Sequence, residues 1–394
     1  MSHVLYLAWR YVAYQRMKTL VLVAAIALIL FIPAALRVLV LRADAELTAR
    51  AAATPLLLGA KDSPLELALN SLYFAGDPPQ PVSMAQVRQL RETGLCQAIP
   101  LYTRFTAGDA PIVGTTLDYF AFRRLVVGRG RNFGRLGDCV LGAELARRRG
   151  LKPGDELTSS PETVFGLAGV YPLRMRVTGI LAPSDSPDDQ AVFVDVKTAW
   201  IIEGLGHGHQ DLSEPEAASG VLERTDDKIV ANASVQQFQQ ITDANIESFH
   251  FHGDPETFPI TAVIVQPKDA KSQALLLGRY QSNRLLQLVE PRSVVADLLA
   301  AVFTVQSLVT ATLVIVGLTT LVLAGLVFAL SLRLRRREIE TMVKIGASRG
   351  RLWGVLATEI LLVLGSGVAI AALLTTLVAW QGAPLVRAVL VRLS

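Results

Sequence analysis

Three uncharged apolar blocks interrupt an otherwise mixed chain of hydrophobic and polar positions. The first is Thr19–Leu36 (TLVLVAAIALILFIPAAL). Wound as a helix at about 1.5 Å per residue, it just crosses a hydrocarbon core of roughly 30 Å. Arg16 and Lys18 precede it, as basic residues precede a signal peptide. However, the apolar run resumes in Val38–Leu41 beyond Pro33 and Arg37, so an uncleaved anchor is expected. The second block, Leu298–Leu332, is too long for one crossing. Its first third carries Gln306, Ser307 and threonines, which predicts a stalk leading into a span. The third block is Ile360–Val386, with a span to about Trp380. Gly365 and Ala369 lie four apart on it, a spacing that permits close helix approach in lipid.

The region between the first two blocks has a different pattern. Leu173–Leu181 (LRMRVTGIL) alternates like a half-buried strand, and Gln190–Val196 (QAVFVDV) reads as a buried one. Lys197–Gly204 predicts a helix ending at glycine, and Ser83–Thr93 a short amphipathic helix. Asp138–Arg149 predicts a strand turning into a helix closed by Gly150, followed by a turn at Lys152–Asp155. The fold class expected is therefore a membrane protein with three transmembrane α-helices, one N-terminal and two C-terminal, and a large α+β extracytoplasmic domain.

Composition sharpens this picture. Hydrophobic residues make up 51% and charged residues 18%, below the roughly 25% charge of an ordinary soluble domain. The net charge of +4 does not point to nucleic acid, because the basic residues gather beside the apolar blocks. Arg10, Arg16 and Lys18 precede the first, and Arg333, Arg335, Arg336, Arg337, Lys344, Arg349 and Arg351 separate the second from the third. The positive-inside rule then places both segments in the cytoplasm. The expected layout is a cytoplasmic amphipathic helix at 1–18, a span at 19–41 and an extracytoplasmic domain at 42–297. A stalk and span at 298–332, a cytoplasmic loop at 333–358, a span at 359–381 and a short outer tail at 382–394 complete it. Trp9, Tyr11 and Tyr14 suit the first helix to the lipid headgroup zone.

Few residues suggest site chemistry. Cys96 and Cys139 both fall in the outer region, where an oxidising compartment would allow a disulfide; two small buried hydrophobes are the other reading. Four of the five histidines form two His-x-His pairs, His207 with His209 and His250 with His252. On a strand, residues two apart share a face. His250 and His252 would then face away from buried Phe249 and Phe251, with Asp211 or Asp254 near the pairs. Imidazoles so placed suit zinc or copper, while an exposed strand edge holding no ion has the same pattern. No G-x-x-x-x-G-K-[ST] phosphate loop occurs, so no ATPase and no catalytic residue are expected within the chain itself.

Several segments resemble the MacB/FtsX-type permease family, which includes lipoprotein-release and haem-export permeases. They are AWRYVAYQRMKTLVLVAAIAL at the start and RLRRREIETMVKIGASRGRLWGVLATEILLVLGSG near the end. IVGTTLDYF, VGRGRNF and VLGAELARRRGLKPGDELT are similar in the middle. The resemblance implies an ABC-transporter permease in a bacterial inner membrane, using ATP only through a separate cytoplasmic ATPase subunit. It assigns the ATPase-coupling element to Arg337, Glu338, Ile339, Lys344, Gly346, Ala347, Ser348 and Arg349. Glu359, at the base of the following helix, would pair with a neighbouring arginine. A homodimer is implied, since two ATPase subunits need two docking loops. The family pattern has four spans, and this chain is expected to lack the fourth. Export or extraction of a substrate is the leading expectation. The alternatives are a scaffold that relays ATPase motion to an extracytoplasmic partner such as a hydrolase, and a membrane-anchored metal-binding sensor.

Overall fold

The computed structural model describes residues 2–160, 172–208, 221–225, 228–231, 239–334, 336–344 and 348–392. They form two compact units, one of 1–47 with 297–389 and the other of 48–296 with 390–394. The chain opens with helices α1 (Ser2–Tyr14) and α2 (Arg16–Ala52). α2 does not stop where its apolar block ends. The following ADAELTARAA consists mostly of strong helix formers, so the helix runs about ten residues further than the expected boundary at 42.

The α+β domain begins with β1 (Leu56–Ala60), α3 (Pro64–Tyr73), β2 (Val82–Ser83), α4 (Ala85–Glu92) and β3 (Cys96–Leu101). Next come β4 (Thr106–Ala107), β5 (Ala110–Thr115), α5 (Leu117–Arg123), β6 (Val127–Gly130), β7 (Asp138–Leu141) and α6 (Ala143–Arg149). β8 (Glu156–Thr158), β9 (Arg174–Leu181), β10 (Val192–Asp195), α7 (Val196–Glu203) and β11 (Gly206–His207) follow. The domain closes with β12 (Val221–Thr225), β13 (Lys228–Ala231), β14 (His250–Phe251), β15 (Pro259–Ile260), β16 (Ala262–Pro267), α8 (Ala270–Gln281) and β17 (Leu286–Val289).

Two sheets organise these elements. One is antiparallel, in the order β17-β1-β16-β3. The other is mixed, in the order β4-β5-β10-β7-β9-β6, with β8 also on β9. Tyr102 and Gly114 exchange both backbone hydrogen bonds, at 2.8 and 2.9 Å, and so stitch the end of β3 to β5. Leu56, Leu57 and Leu58 of β1 and Val263, Ile264 and Val265 of β16 are fully buried, as strands covered on both faces require. β9 alternates only at its start, where Arg174 and Arg176 are exposed, and is buried throughout once β6 and β7 flank it.

Local signals fix the helix ends. The Asp195 carboxylate accepts from Lys197 N at 2.9 Å to start α7, and Gly204 ends it in the left-handed region at φ 90°. Gly150 closes α6 in the same way, at φ 67°. Cys96 and Cys139 are both buried as separate thiols within the core.

After the domain come α9 (Pro291–Leu334), α10 (Arg336–Lys344) and α11 (Arg349–Arg392). Among the described residues three helices are long and apolar enough to cross a membrane: Arg16–Ala52, Pro291–Leu334 and Gly350–Trp380. α11 continues to Arg392 instead of ending near 381. The close helix approach is not at Gly365, where an added Cβ would meet open space, nor at Ala369, which is exposed. It occurs two residues along. A Cβ on Gly367 would lie 2.6 Å from Ile26 Cγ2, and Val363, Gly367 and Ala371 form the buried stripe of α11.

Candidate functional sites

Among the described residues the basic segment contains α10 and the start of α11. On α10 the apolar positions Ile339, Met342 and Val343 recur at i, i+3 and i+4 among charged neighbours, and Arg336 Nε donates to Glu340 Oε1 at 3.0 Å. Arg337 and Lys344 are exposed on this helix, which also carries Glu338. Gly346 and Ala347 lie outside the described residues. Ser348 starts the next turn, its carbonyl accepting from Arg351 N at 3.0 Å, and Arg349 is the first residue of α11. Gly346–Gly350 also has the G-x-S-x-G spacing of an esterase nucleophile elbow, but that motif needs a strand entering the turn. Here the nearest described element before it is the helix α10.

Glu359 is only 5% exposed, and its partner is a lysine rather than the expected arginine. Lys18 Nζ lies 3.7 Å from Glu359 Oε1 and 4.7 Å from the centre of the Phe328 ring. The reason is the helix pairing. With Gly367 against Ile26, it is the start of α2 that comes beside the base of α11. One ammonium group therefore meets α2, α9 and α11 together.

A buried ionic cluster went unseen in the sequence. Arg50, in the last turn of α2, donates from Nη1 to Asp188 Oδ2 at 2.7 Å and from Nη2 to Oδ1 at 3.0 Å. Tyr119 Oη donates to the same Oδ1 at 2.7 Å, Ser186 Oγ to Oδ2 at 3.0 Å, and Arg50 Nε to the Leu72 carbonyl. Burial alone would raise the Asp188 carboxyl, but the Arg50 charge and the hydrogen bonds hold it below its usual range. Burial, with Asp188 adjacent, pushes the Tyr119 hydroxyl up to about 12. No local pattern announces this cluster, because its members come from α2, α5 and the turn before β10.

Three of the four paired histidines do converge. β11 pairs with β14 so that His207 stands opposite His250, and His252 follows two residues on. Ring centroids are 4.8 to 5.1 Å apart. Gly206 and Gly208 alternate with His207, and a Cβ on either would strike Phe251 or Phe249, at 2.6 and 2.5 Å. Those two phenylalanines pack toward the core, with Phe251 6.3 Å from Trp200. His209 and Asp211 lie outside the described residues. Asp254 is engaged elsewhere, its Oδ1 accepting from Glu256 N at 3.0 Å, and it does not join the histidines.

Comparison with known proteins covers both units. The MacB-like periplasmic core domain profile matches residues 54–273, and the FtsX-like permease C-terminal profile matches 298–385. No curated protein matches the chain. Among solved structures it is similar to the extracellular domain of the noncanonic ABC-type transporter YknZ from Gram-positive bacteria. That match has 14% identity over 59% of this chain and 98% of that one, with a TM-score of 0.33. It is also similar to the periplasmic region of MacB from Actinobacillus actinomycetemcomitans, at 11% identity over 62% and 92%, TM-score 0.33. Neither likeness is close enough to bear on function. The two profiles together run from β1 to the first turn of α8 and over most of α9 to α11, and on them the chain belongs to the MacB/FtsX-type family of ABC-transporter permeases.

Proposed function

We propose that this permease converts the ATP cycle of a separate cytoplasmic ABC ATPase into movement of its α+β domain, driving export or extraction of a substrate. The observation that carries the reading is the presence in one chain of both a MacB-like periplasmic core domain match and an FtsX-like permease match. The ATPase-facing element is the segment from Arg337 to Arg349, where the short charged helix α10 provides a docking surface ahead of α11. The N-terminus and this segment lie in the cytoplasm and the α+β domain outside, in keeping with the charge asymmetry. Two chains act together, because an ATPase dimer presents two docking grooves.

The test is reconstitution with the partner ATPase. Arg337→Glu combined with Gly346→Pro is expected to abolish stimulation of ATP hydrolysis while the protein still inserts in the membrane. Undiminished stimulation and co-purification would remove this segment as the coupling element.

A further inference from the structure

Independently of the coupling role, the α+β domain carries a cluster that this role does not use. We propose that His207, His250 and His252 form a zinc site with three imidazole ligands and an open fourth position. Their ligand-capable nitrogens all lie within 4.8 Å of one another, with His207 and His250 paired in register and His252 just beyond β14. Tetrahedral zinc at about 2.0–2.1 Å from each nitrogen needs them roughly 3.4 Å apart, a closure that small side-chain rotations supply.

The backbone is arranged to hold these rings on one face. Gly206 and Gly208 leave room for Phe251 and Phe249 on the opposite face, which locks the strand pair's orientation against the core. Register places His207 opposite His250, and His252 N donates to the Leu205 carbonyl at 3.2 Å to extend the pairing. The tautomer is also set. His250 Nδ1 lies 2.9 Å from the Ser248 carbonyl, which can only accept, so the proton sits on Nδ1 and the lone pair on Nε2. A backbone carbonyl behind the distal nitrogen is the usual support of a metal-binding imidazole. The donor set contains nitrogen and no thiolate, which suits zinc among abundant divalent ions and excludes calcium and magnesium. The bound ion would cross-link the two ends of the 208–249 segment. With His252 exposed, its open position would take water or a carboxylate from solution.

The experiment uses tag-free, full-length protein in detergent, stripped with a chelator and then titrated with zinc against a chromophoric competitor. Wild type is expected to take up about one zinc per chain, and His252→Ala to weaken binding by at least the ~10–100-fold that loss of a mere supporting contact costs. His252 is exposed, so this variant keeps the fold, checked by an unchanged melting curve before zinc is added. Cobalt loading should give the visible absorption of a tetrahedral site in wild type only. Equal zinc uptake by wild type and by a variant with all three histidines changed to alanine would overturn the proposal, as would no uptake by wild type.

Discussion

Arg50 and Asp188 form a two-pronged ion pair across 138 positions of sequence, with side chains only 9% and 1% exposed. This pair fastens the last turn of α2 to the turn that precedes β10. Because both charges are out of water, each depends on the other for most of its solvation.

Removing one partner should therefore cost far more than removing both. Arg50→Met or Asp188→Leu alone is expected to destabilise the α+β domain by about 3–5 kcal/mol, with the double variant recovering a large part of that. Chemical denaturation of the full-length protein, followed by the fluorescence of Trp200 in the core, measures the cycle. Additive losses would mean the pair is not an energetic unit.

The pH dependence has a definite sign. Asp188 titrates below its ordinary range when folded, so its contribution is complete above the unfolded carboxyl value of about 3.9. It declines as the pH falls through the lower, folded value. The melting midpoint should not vary with pH on account of this group between about pH 5 and 8 and should drop below about pH 4. Asp188→Asn should be less stable at neutral pH and show a shallower acid limb. An identical acid limb in both proteins would assign it to other carboxylates.

Within the membrane unit two neighbouring glycines should behave oppositely. Gly367→Ala forces a methyl group into Ile26 and is expected to cost about 1–3 kcal/mol or push α2 and α11 apart. Gly365→Ala meets nothing within the chain and should leave the melting midpoint in detergent unchanged. Equal effects would mean that the helices pack through another face.

Orientation is open to thiol labelling without removing the native cysteines. Cys96 and Cys139 are buried, and burial together with Asp138 pushes the Cys139 thiol well above its ordinary value. Both should stay silent toward an impermeant maleimide on intact spheroplasts. Ser282→Cys, on the exposed end of α8, should label there, and Ser348→Cys only after permeabilisation. Labelling of Ser348→Cys in intact spheroplasts would reverse the proposed topology.

What could be read in the chain was what is written locally. The Asp138–Gly150 and Lys197–Gly204 segments contain their own start and stop signals, and the Phe-His-Phe-His alternation states which residues share a face. Which segments would meet was a different matter. That His207 faces His250 follows from strand register, which the intervening residues do not encode. Arg50 and Asp188 sit in stretches that read as an ordinary helix end and an ordinary turn. The lysine beside Glu359, and the choice of Gly367 over Gly365, both depend on the rotation of α11 about its axis. Small residues were present on two faces, and composition alone could not choose between them.

The pairing of β1 with β17 has a further consequence. Leu57 lies opposite Val289, so the chain enters the α+β domain and leaves it at adjacent points on one sheet, about 4.8 Å apart. The domain is in effect a cassette spliced between two helices, with both seams side by side. A cassette of that kind can be enlarged, trimmed or exchanged for another while its two neighbouring seam strands are kept, without altering the helices that receive it. Diversification of what such a permease handles can then proceed in the cassette, while the helices and their basic segment stay constant.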